Sequence, residues 1–125
     1  MGCCSSSQEL PSVLSLKVIN ECAKGKYVYC LESLRGLKHV KIGRTNNPAR
    51  RYKEYQTALG NAFGFTALFK ITNKDDSDAE ADLHSYFKEN RKELEFFDFT
   101  SQPDYVNTIK KVLKDKKYTY ECILP

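Results

Sequence analysis

The sequence lacks the features that mark membrane-spanning, secreted and disulfide-stapled proteins. None of its apolar runs approaches the ~20 residues that span a bilayer, and no basic region followed by an apolar stretch opens the chain as in a signal peptide. The cysteines are odd in number and form neither a CxxC pair nor a zinc-type spacing: Cys3, Cys4, Cys22, Cys30 and Cys122. We therefore expect an intracellular, cytoplasmic protein with free thiols.

Signatures of several common enzyme classes are also missing. The chain has no P-loop, no dinucleotide-binding fingerprint, no serine or cysteine triad pattern and no internal repeat. What is present is a chain of 125 residues, 41% hydrophobic and 29% charged, which is typical of one soluble globular domain.

Positive charge is concentrated in one segment. Seven basic residues and no acidic one lie between Arg35 and Lys53, although the whole chain has a net charge of only +4. Such a segment favours an anionic partner. We expect this partner to be nucleic acid, and specifically DNA. The nucleic-acid-binding candidates are Lys38, Arg44, Arg50 and Lys53. The alternative is an ordinary solvated face.

Residue patterns predict three parts of the chain. Residues 1–24 are expected to form an N-terminal tail, although the apolar patch within 13–19 could instead pack on the domain. Residues 25–99 are expected to form the α/β domain, and residues 100–125 a C-terminal helix and tail packed on it.

Within the domain, alternating residues predict strands near 27–31 and 40–42, and a strongest strand over 63–71 with all its odd-numbered residues on one face. Asn47-Pro48 opens a helix that Gly60 ends. Further helices are predicted over 77–89 and 103–117, and a short edge strand or extended loop over 94–99.

Six side chains could collect around one site for phosphodiester cleavage: Tyr29, Lys41, Arg51, Tyr55, Glu80 and His84. An arginine and a divalent cation stabilise the charge that develops on the phosphate. A single carboxylate with waters is a reasonable Mg²⁺ site. A polarised phenol could take the proton of the nucleophile.

At these positions the chain resembles the GIY-YIG endonuclease superfamily, and its short branch in phages and large DNA viruses. Residues 27–29 are similar to the GIY element, and residues 41–43 stand where YIG is expected. Gly43, the last of them, lies eight residues before Arg51. Glu80 with Leu83-His84, and then residues 95–97, complete the resemblance, which covers about residues 26–98.

The resemblance implies a small, three-stranded, mainly antiparallel sheet flanked by helices. It also implies catalytic roles for Tyr27 and Tyr29, with Tyr29 as the base or water-positioning phenol. Arg51 would stabilise the pentavalent phosphate, and Glu80 would hold Mg²⁺ or Mn²⁺. The chain departs from the family pattern at Lys41, where YIG has tyrosine, and in having no clear late asparagine.

Structural interpretations stand beside these roles. Ser77-x-x-Glu80 is also a capping box, and the tyrosines at 27 and 29 could be core aromatics. Arg51 could form a surface ion pair, Tyr55 could belong to the core, and His84 could be a partly buried helix residue.

The first residues match an acylation pattern. Gly2 with serine at position 6 fits N-myristoylation, and Cys3 and Cys4 are placed for palmitoylation. Two acyl groups would anchor the chain to a membrane, whereas one binds marginally. The alternative is an unmodified leader.

The sequence thus predicts a metal-dependent endonuclease of GIY-YIG type, with an N-terminal tether to a membrane. The second hypothesis is a catalytically inactive domain of the same fold that binds nucleic acid or a protein partner at a membrane. The third is a membrane-anchored interaction protein without a nucleic-acid role.

Overall fold

A computed structural model describes residues 12–35, 38–93 and 96–125. The acylation candidates Gly2, Cys3 and Cys4 lie outside the described residues, as does Glu95 of the family-like motif. Of the helices in the described ranges, none combines the length and apolar character that crossing a bilayer requires.

The centre of the structure is a six-stranded antiparallel sheet in the order β4-β5-β2-β1-β3-β6. The strands are β1 Tyr27–Ser33, β2 His39–Thr45, β3 Phe63–Ile71, β4 Arg91–Glu93, β5 Phe96–Asp98 and β6 Tyr120–Ile123. The expectation of three strands is therefore wrong in number, although β2, β1 and β3 form the middle of the sheet.

The additional strands are short, and two of them, β5 and β6, pair with strands far away in sequence. β5 is a strand, as one of the two alternatives held, but it lies inside the sheet because β4 covers its outer edge. β6 pairs with β3 through the register Phe69 to Cys122. Strands of three or four residues carry too little periodicity to be recognised, and their stability comes from the neighbouring strand.

A β-bulge in β3 divides its apolar residues between the two faces of the sheet. Cys30 pairs with Ala67 whereas Leu31 pairs with Phe65, so Thr66 is an extra residue. Phe65 consequently packs in one core, and Ala67, Phe69 and Ile71 pack in the other. The prediction that one face holds all five apolar residues is wrong, because a bulge shifts the two-residue alternation by one position.

Four helices cover the two faces: α1 Leu16–Asn20, α2 Pro48–Leu59, α3 Asp76–Tyr86 and α4 Tyr105–Asp115. α1 and α2 pack against the core that contains Tyr29, and α3 and α4 against the core that contains Cys30. The order of the predicted strands and helices is confirmed.

The beginnings of α2 and α3 differ in how they are capped. Asn47 caps α2 as predicted, and its side chain accepts a hydrogen bond from the Arg50 amide at 3.2 Å. The cap residue of α3 is Asp75, and Ser77 lies inside the helix. The capping-box interpretation of Ser77 and Glu80 is therefore wrong. The Glu80 carboxylate lies near Arg44 instead.

Residues 12–24 pack on the sheet. The Leu14 amide donates to the Phe65 carbonyl at 2.8 Å, and the side chains of Leu14 and Ile19 are buried. Of the two arrangements considered for the apolar patch at 13–19, the packed one is present.

A buried polar network joins the C-terminal helix to the sheet. The Tyr105 hydroxyl donates to Glu32 Oε1 at 2.5 Å and lies 2.7 Å from the Thr66 hydroxyl. Lys38 Nζ is 3.2 Å from the other carboxylate oxygen of Glu32, whose side chain is only 3% exposed. Burial and the neighbouring negative charges raise the pKa of the Tyr105 phenol, so it remains a hydrogen-bond donor at neutral pH.

The network predicts a specific cost for removing one hydroxyl. Tyr105→Phe leaves a buried carboxylate oxygen without its donor, which should lower the free energy of unfolding by about 1–3 kcal/mol. Urea denaturation would measure it. Tyr120→Phe is the matched control, because its ring packs on Phe69 and the described residues offer its hydroxyl no partner. Equal loss in both variants would contradict the assignment.

Candidate active site

One polar cavity of about 560 Å³ collects side chains from two strands and two helices. It opens where β1 and β2 meet the first turns of α2 and α3. Four cationic groups, two carboxylates and one phenol line it: Lys26, Lys41, Arg44, Arg51, Asp76, Glu80 and Tyr29. The three residues on which the predicted chemistry rests most, Tyr29, Arg51 and Glu80, are therefore brought together.

Tyr29 is positioned by the glycine opposite it. It is 2% exposed, and it pairs across the strands with Gly43. A Cβ on residue 43 would overlap the Tyr29 hydroxyl and ring, so only glycine leaves the tyrosine room to lie across β2. The Tyr29 ring also packs on Phe65, with centroids 5.1 Å apart.

Helix α2 supplies a second phenol to the same place. The hydroxyls of Tyr29 and Tyr55 are 2.5 Å apart, and their rings meet edge to face. Lys41 Nζ lies 5.2 Å from the centre of the Tyr55 ring. This is a cation–π contact, and it places the Lys41 ammonium beside the two phenols.

Arg51 has a donor that the protein leaves unused. Its Nη1 is 3.4 Å from Glu54 Oε1, an exposed pair. Its Nε is buried, and no described residue accepts a hydrogen bond from it. A buried donor without a partner costs free energy, and a phosphate oxygen in the cavity would satisfy it.

The two carboxylates of the cavity come from α3, one turn apart. Arg44 Nε is 3.8 Å from Glu80 Oε1. Asp76 is 7% exposed, and burial raises the pKa of its carboxyl, with the nearby Arg44 charge opposing the shift. Sequence reasoning missed Asp76, although its i,i+4 spacing from Glu80 was a signal that could have found it.

His84 and Tyr27 are placed outside the cavity lining. His84 Nε2 is 2.7 Å from the Ile42 carbonyl oxygen and its ring packs on Phe97, so it ties α3 to β2. The buried Tyr27 hydroxyl donates to the Ala23 carbonyl at 2.7 Å. Both contacts match the structural interpretations of these residues.

The nucleic-acid-binding candidates separate into three places. Arg44 lines the cavity, and Arg50 and Lys53 are exposed on α2. Lys38 pairs with the buried Glu32, away from the cavity lining. Lys26, which lies before the basic segment of the sequence, also lines the cavity and was missed.

The donor set suits a hydrated divalent cation. No group of three or more histidine, cysteine, aspartate or glutamate side chains with ligand geometry occurs in the described part of the chain. Mg²⁺ does not need one, because it keeps several waters and is often held by one or two carboxylates. Glu80 and Asp76 in a polar cavity fit that requirement.

Gly43→Ala should displace Tyr29, because the added methyl group overlaps a buried aromatic side chain. We expect the free energy of unfolding to fall by about 1–3 kcal/mol, measured by urea denaturation. Gly25→Ala is the control, since its Cβ would lie 3.1 Å from the flexible Lys70 side chain and 3.4 Å from the Tyr27 ring, without overlap. A Gly43→Ala protein as stable as the Gly25→Ala protein would refute this role of Gly43.

Asp76→Asn should stabilise the fold at neutral pH. Because the folded-state pKa of Asp76 lies above its ordinary value, the ionised carboxylate costs stability above that pKa, and the cost disappears as the pH falls through it. Unfolding free energies measured from neutral to acidic pH should show a gain that shrinks on acidification. The exposed Asp78→Asn is the control, and a constant gain would contradict the mechanism.

One comparison, with models of protein families, finds a match. Residues 26–117 match the T5orf172 domain, a family found in phage proteins and linked to GIY-YIG-like and HNH-type nucleases. No curated protein and no solved structure matches the chain. The match spans well over half of the sequence, from the residue before β1 to the end of α4. The chain therefore belongs to the T5orf172 domain family.

Proposed function

We propose that this protein is a metal-dependent endonuclease that hydrolyses nucleic-acid phosphodiesters, with DNA as the expected substrate. The observation that carries the proposal is the convergence of Tyr29, Arg51 and Glu80 from β1, α2 and α3 on one polar cavity. Their order and spacing also support the GIY-YIG resemblance.

The phenol pair is suited to handle the proton of the attacking water. Tyr29 is held by Tyr55 at 2.5 Å, so its oxygen is oriented before substrate binds. Lys41 supplies the positive charge that compensates a developing phenolate. A positioned general base of this kind contributes on the order of 10²–10⁴ in rate.

Arg51 is suited to stabilise the pentavalent phosphate. Its buried Nε has no acceptor among the described residues, and a guanidinium meets two phosphate oxygens in a fixed geometry. Since negative charge increases on those oxygens during in-line attack, the interaction strengthens in the transition state.

Glu80 is the residue we assign to Mg²⁺ or Mn²⁺. Its side chain is 19% exposed and faces the cavity beside Arg44. The cation, when bound, supplies charge neutralisation at the leaving oxygen. The protein's own part is to direct this carboxylate into the cavity, where it can meet the cation.

The second candidate function is nucleic-acid binding without cleavage. It is favoured by Lys41, which stands where YIG has a tyrosine. It is also favoured by the excess of cations over carboxylates in the cavity. An N-terminal acyl anchor at Gly2, Cys3 and Cys4 remains a prediction that applies to either function.

Nicking of supercoiled plasmid tests the proposal. We expect nicking that requires Mg²⁺ or Mn²⁺ and that falls by about 100-fold or more in Glu80→Gln and Tyr29→Phe. Asp78→Asn and Tyr27→Phe are matched controls outside the cavity lining, and they should retain activity.

Other results would contradict it. Equal activity in all variants would show that the cutting does not come from this cavity. Absence of cutting with binding that weakens steeply with salt would establish the binding function instead. Absence of both would exclude a nucleic-acid role.

A further inference from the structure

Asp76 and Glu80 occupy the same face of α3. The two residues are four apart, which places their side chains one above the other on a helix. Both line the cavity, and Asp76 is the first residue of the helix. The cavity therefore holds a pair of neighbouring carboxylates, of which the proposed function uses one.

The burial of Asp76 is not explained by the needs of the helix. Asp75, the cap residue, and Asp78 are exposed, and they place negative charge at the helix N-terminus while hydrated. Asp76 is 7% exposed, so the fold removes most of this carboxylate from water although it lines a polar cavity. Burying a charged group is costly unless a partner compensates it, and a cleft that holds convergent polar groups is where a ligand can supply that partner.

Arg44 supplies the positive charge that faces both carboxylates. Its Nε is 3.8 Å from Glu80 Oε1, and its charge also acts on Asp76. The Arg44 side chain is 52% exposed. An ion pair with that distance and exposure is weak, so a bound cation can replace the guanidinium at little cost.

We infer that Asp76 and Glu80 together bind the divalent cation and that Arg44 neutralises the pair until the cation displaces it. The inference rests on the proposed function, because it adds a second ligand to the cation site assigned there. Two carboxylates balance the charge of Mg²⁺ or Mn²⁺, and water fills the remaining positions. The displaced Arg44 stays beside the cavity, where a phosphate group of the nucleic acid can accept its hydrogen bonds.

Titration of the full chain with Mn²⁺ tests this without any cleavage reaction. The signal of free hydrated Mn²⁺ in electron paramagnetic resonance reports the bound fraction at neutral pH. We expect Asp76→Asn and Glu80→Gln each to weaken binding by about tenfold or more, and the exposed Asp78→Asn to bind like the wild type. Arg44→Gln should bind Mn²⁺ more tightly, because the competing guanidinium is gone.

The outcomes separate this inference from the proposed function. Binding that Glu80→Gln weakens and Asp76→Asn does not would overturn the role of Asp76 and leave the Glu80 site intact. Wild-type protein that binds no Mn²⁺ would overturn both. Arg44→Gln protein with unchanged or weaker affinity would overturn the exchange, whatever the result for Asp76→Asn.

Discussion

The burial of β1 on both faces is the constraint on which the rest of the structure depends. Every residue from Tyr27 to Ser33 is buried, so helices must cover both sides and strands must pair with both edges. The bulge at Thr66 in the neighbouring β3 puts Phe65 in one core and Phe69 in the other. Because a strand in this position has no contact with water, its polar groups must be satisfied by the protein itself. Glu32 meets that condition with Tyr105 and Lys38.

The candidate site uses the same strand nearer its other end. Tyr29 emerges beside Gly43, where β2 offers no side chain, and the phenol thereby reaches Tyr55 and the cavity. Lys41 and Arg44 come from β2, Arg51 comes from α2, and the two carboxylates come from α3. The Asn47 side chain caps the start of α2, and His84 joins α3 to β2. A site assembled on a rigid strand and two helices holds its groups at constant separations, which suits catalysis that depends on preorganised charge.

The cavity holds buried polar groups that lower the stability of the fold. Cations outnumber carboxylates, which suits a polyanionic ligand, yet Asp76 remains buried against its desolvation cost. Arg51 likewise keeps a buried Nε donor to which no residue of the described ranges offers an acceptor. Both are groups that a ligand would satisfy, by a cation in one case and by a phosphate oxygen in the other. In this T5orf172 domain, the groups that cost the fold stability are the same groups that the proposed chemistry would use.

The sequence by itself determined the central strands, the order of the helices and the identity of Tyr29, Arg51 and Glu80 as a set. It could do so because alternation, capping and motif spacing are local properties. Only the tertiary structure decided that β6 joins the sheet, that Asp76 lines the cavity, and that His84 contacts the Ile42 carbonyl. These depend on pairing and burial between residues far apart in the chain. The physical reason is that the burial of a residue depends on the other segments that pack around it. A short stretch of sequence does not reveal those segments.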